Sequence, residues 1–196
     1  MKTKIAIRLF AAFVIVAAAA FAGCCAEFSA DMTMNSAAGG EMTGKVFVKG
    51  NALRQEINTP MGVQALIVDP DAPVSYAVMP GQNMYMEIPK TQITLGEDET
   101  FEEKFSEQGK VTELGEETVQ GYDCRKYHVV FNDASAGEAT IWLSEDLNYP
   151  IKMYSENPQD KLTVIYSNIL EEPQPDSLFT VPEGYTKMDM KMLSPQ

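Results

Sequence analysis

Downstream of Glu27 the chain keeps side-chain period two almost without interruption, and turn chemistry breaks it so often that no crossover helix fits between the segments. Phe28 to Asn35, Lys45 to Lys49, Leu53 to Asn58, Val63 to Val68, Val74 to Met79 and Met84 to Ile88 are short runs rich in β-branched, aromatic and methionine residues. Between them stand Gly39-Gly40, Gly50-Asn51, Thr59-Pro60-Met61-Gly62, Asp69-Pro70-Asp71-Ala72-Pro73 and Pro80-Gly81. Glycine and proline at those points break strands and form turns. Parallel pairing needs a crossover of a dozen or more residues, so these strands are expected to form an antiparallel meander.

The pattern changes from Glu97 to Gly109, where acidic residues flank Phe101 and Phe105. The two rings are four apart and would share one face of a helix packed across the sheet. Strands are expected again at Val111 to Leu114, Tyr122 to Phe131, Ala139 to Leu143, Ile151 to Glu156 and Leu162 to Ile169. Pro173, Pro175 and Pro182 mark Glu171 to Gly184 as a loop or short helical turn before a last strand near Tyr185 to Met190. The sequence therefore reads as mainly β within an α+β class, with about a dozen strands and one or two helices.

The first 23 residues stand outside this pattern. Lys2 and Lys4 precede an apolar, alanine-rich run from Ile5 to Ala22 interrupted only by Arg8, and small residues close it. A short basic start, an apolar stretch too short for a typical spanning helix and a small-residue end describe a secretory signal peptide over residues 1–23. Two continuations are open. Phe21-Ala22-Gly23-Cys24 resembles a bacterial lipobox, in which Cys24 becomes the first mature residue and carries a lipid anchor. Ala20-Phe21-Ala22 is instead an ordinary small-x-small cleavage site, which releases a soluble protein. Both place the mature chain, residues 24–196, in the cell envelope as one domain, facing the periplasm as an outer-membrane lipoprotein or a soluble protein.

Losing Lys2, Lys4 and Arg8 takes the side-chain charge from −13 to −16. So acidic a chain repels nucleic acid and anionic head groups, which leaves apolar contact as its means of holding lipid. The roughly 170 remaining residues are long enough to bury a core without staples, and a monomer is expected. The three cysteines form neither a disulfide scaffold nor a paired metal spacing. If Cys24 is acylated, Cys25 and Cys124 remain, either bridged or with Cys124 a free thiol.

His128 is the single histidine and shares strand parity with Cys124. At four residues of strand the two backbones stand roughly 13 Å apart, too far for direct proton transfer, so His128 reads as a half-buried strand residue. No nucleophile elbow, phosphate loop or zinc-protease motif is present, and the carboxylates are spread along turns and edges. The chain is expected to be non-enzymatic and to need no cofactor. Met32-Thr33-Met34, Met84-Tyr85-Met86 and Met188-Asp189-Met190-Lys191-Met192 place thioethers two apart, on one strand face. Thioethers suit Cu(I), which makes a periplasmic copper-binding protein one alternative; they also make an adaptable apolar lining.

The blocks Met42 to Arg54, Val78 to Pro89 and Gly121 to Tyr127, followed by Ile141-Trp142-Leu143-Ser144 with Pro150-Ile151-Lys152 and by Ser177 to Tyr185, resemble the LolA/LolB/LppX-type lipoprotein-carrier superfamily, in a branch of uncharacterised bacterial envelope proteins. The resemblance covers most of the mature chain. It implies an open, curved antiparallel half-barrel with helices across its concave side and an apolar cavity that takes an acyl chain or another apolar ligand. The cavity lining expected on that reading is Met32, Met34, Phe47, Leu53, Met79, Met84, Met86, Phe101, Phe105 and Trp142. No gating arginine matches; Arg54 and Arg125 are expected at the surface or paired with an acid. A third reading is a structural or sensory lipoprotein that acts through a protein partner.

Overall fold

The computed structural model describes residues 26–69, 72–89 and 105–188. Twelve strands form one sheet: β1 (Glu27–Ser36), β2 (Gly40–Lys49), β3 (Ala52–Thr59), β4 (Gly62–Val68), β5 (Val74–Met79), β6 (Met84–Pro89), β7 (Gly109–Val119), β8 (Tyr122–Phe131), β9 (Glu138–Ser144), β10 (Tyr149–Glu156), β11 (Lys161–Leu170) and β12 (Thr186–Lys187). Their order is β12-β6-β5-β4-β3-β2-β1-β11-β10-β9-β8-β7. The chain thus makes two meanders, β1 to β6 and β7 to β11, zipped together where β1 pairs antiparallel with β11. Neither β7 nor β12 closes on the other edge, so the sheet is open and curved, the half-barrel architecture that the resemblance implied.

The expected strands are all present, several of them longer than expected. The second begins at Gly40 rather than Lys45, because Gly40 takes a φ of 78° that closes the turn and lets pairing resume at once. The seventh runs eleven residues to Val119 through a bulge between Glu113 and Glu116, where Gly115 has a φ of 95°. One pairing departs from the antiparallel expectation: β12 lies parallel to β6, with Thr186 beside Met84. The long loop from Glu171 to Tyr185 carries the chain from β11 across to the β6 edge of the sheet.

Among the described residues helix is scarce. Phe105 and Ser106 are helical, and two 3-10 turns occupy Pro80–Gln82 and Asp176–Phe179. The expected helix with Phe101 falls mostly on residues 97–104, outside the described residues. So do the expected signal segment, Cys24, Cys25, Met190 and Met192. No helix of the described residues is long and apolar enough to cross a membrane.

Candidate functional site

Strand register sorts the side chains onto two faces. On β1, Phe28, Ala30, Met32 and Met34 are buried while the residues between them are only partly so. Cross-strand pairing carries that face to Val46 and Val48 on β2, Leu53 and Ile57 on β3, and Leu66 and Val68 on β4. It continues to Ala77 and Met79 on β5, to Met84 and Met86 on β6 and, in the other direction, to Tyr166 and Val164 on β11. We call it the Met32 face. Most of its side chains join one apolar cluster.

Of the expected lining, Met32, Met34, Leu53, Met79, Met84 and Met86 share this face, with Met79 and Met84 only half-buried. Phe47 does not: it pairs with Arg54 on the opposite face. Phe105 joins a second apolar group with Tyr127, Val129 and Ile141. Trp142 is aligned with Lys126 and Lys152, whose ammonium groups stand 4.8 and 4.3 Å from its ring centre. Its ring is buried, carries the two cations over it and belongs to the same apolar cluster as most of the Met32 face.

Three features of the Met32 face went unread in the sequence. Gln55 sits among its apolar residues, 1% exposed, and donates from Nε2 to Met32 Sδ at 3.0 Å. Its signal was there, since Gln55 has the parity of Leu53 and Ile57. Gly44 lies between Met32 and Ile57; a Cβ there would meet the Glu56 carbonyl oxygen at 1.9 Å and the Met32 methyl at 2.9 Å. The missing side chain lets the Met32 thioether cross β2 toward Gln55. Third, Phe28, Tyr149 and Tyr166 stack edge-on, each successive pair 5.3 Å apart. Burial pushes the Tyr149 hydroxyl up to about 12 and that of Tyr166 well above its ordinary value.

The opposite face is polar in its middle. A groove of about 480 Å³ there is bounded by Asp31, Thr33, Thr43, Lys45, Glu56 and Asn58. Asp31 accepts from Lys45 Nζ at 2.8 Å and Asn168 Nδ2 at 2.9 Å, so its carboxyl lies below the usual range. Apart from Met32, the side chains around that groove are polar or charged, unlike the mostly apolar lining of a typical acyl-chain site. Toward β4 and β5 the same face is covered by the C-terminal loop, with Phe179, Val181 and Tyr185 packed on Ala65, Ile67 and Val78. Arg54 is buried beneath this loop and takes the second of its expected placements, paired with an acid: Nε donates to Glu56 Oε1 at 2.7 Å and Nη1 to the Leu178 carbonyl at 3.0 Å. Arg125 is exposed and paired with Glu145, as expected.

No constellation of catalytic type gathers among these groups. Cys124 is buried and unbridged, and burial pushes its thiol up to about 11, which keeps it from acting as a thiolate. His128 is half-buried, with Nε2 3.3 Å from Glu138 Oε2. Among the described residues, no three His, Cys, Asp or Glu side chains group to hold a metal.

Residues 28–149 match the family described as Domain of unknown function (DUF4412). The chain belongs to that family. None of the curated proteins matches this DUF4412 chain. Among solved structures it is similar to an uncharacterized conserved protein from Thermus thermophilus, at 10% identity and a TM-score of 0.58, covering 91% of this chain and 98% of that one. It is also similar to a chain of the Pseudomonas aeruginosa MucA/MucB complex, at 15% identity and a TM-score of 0.55. That match covers 83% of this chain, which spans 57% of the other's length. A LolA superfamily protein from Nitrosomonas europaea superimposes more loosely, at 14% identity and a TM-score of 0.39, covering 87% of this chain and 97% of that one. At such identities the first two likenesses concern the fold, and the third adds no weight.

Proposed function

We propose that this DUF4412 chain is a non-enzymatic bacterial envelope protein that binds an acyl chain or another apolar ligand on the Met32 face, in the handling of lipid or lipoprotein. The observation that carries the reading is the continuity of that face, apolar from β6 through β1 to β11 and rich in methionine. Unbranched thioethers repack around varied chains. Each buried methylene contributes about 0.8 kcal/mol, so an eight-carbon segment would outweigh a substantial ordering cost. The lining comprises Met32, Met34, Leu53, Met79, Met84 and Met86, with Phe47, Phe101, Phe105 and Trp142 left as the outer candidates. A signal peptide over residues 1–23 delivers a monomer to the periplasm, with Cys24 either lipidated or left unmodified near the start of a soluble mature chain.

Native mass spectrometry of the protein expressed with its own signal tests this. Retained non-covalent lipid supports the reading, and a diacylglyceryl and acyl adduct on Cys24 establishes the tether. A protein that is empty and binds no added medium-chain alcohol or ether refutes apolar binding. In that event a second reading takes over, favoured by the likeness to a chain from a two-protein complex: the fold would act through a protein partner.

A further inference from the structure

The Met32 face holds a buried amide with an unpartnered atom. Gln55 stands in the middle of β3, level with Val46 on one side and Leu66 on the other. Its Nε2 reaches Met32 Sδ, a weak acceptor, and its Oε1 has no hydrogen-bond partner. Turning the carboxamide over would set oxygen against sulfur and orphan the NH2 group instead. One end of the amide therefore lacks a partner in either orientation. The residues around it on β3 and the neighbouring strands, Val46, Leu53, Ile57, Leu66 and Met32, carry no side-chain N–H or O–H to supply one. A buried amide oxygen without a donor costs the fold stability, and a leucine of similar volume would not incur that cost.

Resting on the apolar-ligand reading above, we infer that Gln55 is the polar contact of that site: its Oε1 accepts a hydrogen bond from an uncharged O–H or N–H at the head of an otherwise apolar ligand. Fatty alcohols, monoacylglycerols and fatty amides belong to this class. An ionised carboxylate does not, because it has no donor and brings charge onto an apolar face of a chain already at −13. An ammonium head would be buried without a counter-charge, since Glu56, the nearest carboxylate in sequence, points to the other face with Lys45. Alkanes and ethers leave Oε1 as it is.

The test compares decanol with decyl methyl ether by titration calorimetry on delipidated mature protein, wild type and Gln55→Leu. The expected result is about five- to tenfold tighter binding of decanol by the wild type, the size of one neutral hydrogen bond. Gln55→Leu then brings decanol down to the ether's affinity, leaves the ether unchanged and raises the Tm of the empty protein. Gln55→Met repeats the comparison if leucine's branch does not fit. Equal affinities in the wild type, or a preference that survives both substitutions, overturn the role of Gln55 and leave apolar binding standing. A lowered Tm in both variants overturns it too, by marking the amide as satisfied within the fold. If neither compound binds, the apolar-ligand reading itself fails.

Discussion

Trp142 Nε1 donates to Glu117 Oε2 at 2.8 Å, and the same oxygen accepts from Lys126 Nζ at 3.0 Å. One carboxylate on β7 thereby ties the outermost strand to β8 and to β9 beyond it. Most of β7 is exposed, with one neighbour only, so these bonds hold an edge that little burial supports.

The two bonds hold the Glu117 carboxyl below its ordinary value of 4.5, the Trp142 hydrogen bond contributing most. A carboxylate lowered in the fold stabilises it fully above that ordinary value, and the contribution is lost as pH falls through the lower folded value. Glu117→Gln should therefore be less stable than the wild type at neutral pH, with the difference shrinking below about pH 4.5. Urea unfolding midpoints of both proteins across that range check this. Trp142 is the only tryptophan, so its emission should report the same acid transition in the wild type and not in the variant. A gap that stays constant with pH would mean that Glu117 acts by packing alone.

Gly44 is the point at which three strands crowd. Adding a methyl group there drives it into the Glu56 backbone, which cannot rotate away as a side chain could. Gly44→Ala should cost about 2–4 kcal/mol, as overpacking against backbone does, and should loosen the Met32–Gln55 contact. Denaturant unfolding measures it. A change under about 0.5 kcal/mol, the range of an ordinary surface substitution, would show that β2 and β3 separate there at little cost.

The strands were legible in the sequence because alternation and turn residues are local signals. What alternation does not carry is which of two faces becomes the deeper one, and how distant strands meet. Phe47 and Leu53 both lie in apolar runs, yet pairing turns them to opposite faces. Pairing of Arg54 with an acid was open from the sequence, but its burial was not, because its cover, the loop at Leu178, is 124 residues away in the chain. The parallel pairing of β12 with β6 likewise depends on that loop's path, which nothing local in residues 171–185 encodes. Gln55 was readable from parity alone, as a polar residue in an apolar file. Gly44 was not, since the use of a missing side chain appears only when Met32 and Glu56 are in place.

The stack of Phe28, Tyr149 and Tyr166 should make the fold sensitive to alkali. Both phenols are buried, with hydroxyl oxygens 3.5 Å apart, and burial holds both protonated. Phenols raised in the fold stabilise it fully below their ordinary value of 10, and that contribution is lost as pH rises toward the folded values. For Tyr149, raised to about 12, the contribution is on the order of 3 kcal/mol at the limit. A Tyr149→Phe/Tyr166→Phe double variant should lose less stability than the wild type between about pH 8 and about pH 11. Ultraviolet titration should show two phenols that ionise only on unfolding, and their ionisation at ordinary pH in the folded protein would refute the burial argument.

Two cations hold the C-terminal loop, and their burial separates their effects. Lys49 reaches Asp176 at 2.7 Å, but the aspartate is 90% exposed in its side chain, so solvent screens the pair. Arg54 is 9% exposed in its side chain and spends one N–H on the Leu178 carbonyl. Arg54→Met leaves that carbonyl and the partly buried Glu56 without their donor, which should cost about 1–3 kcal/mol. Lys49→Met should cost less than Arg54→Met. Because Phe179, Val181 and Tyr185 depend on the loop's course over Ala65, Ile67 and Val78, the Arg54 variant should also be cut within residues 171–185 at protease levels that spare the other two proteins. Equal cutting of all three would place the hold on the apolar contacts alone. A larger loss from Lys49→Met than from Arg54→Met would reverse the ranking that burial dictates.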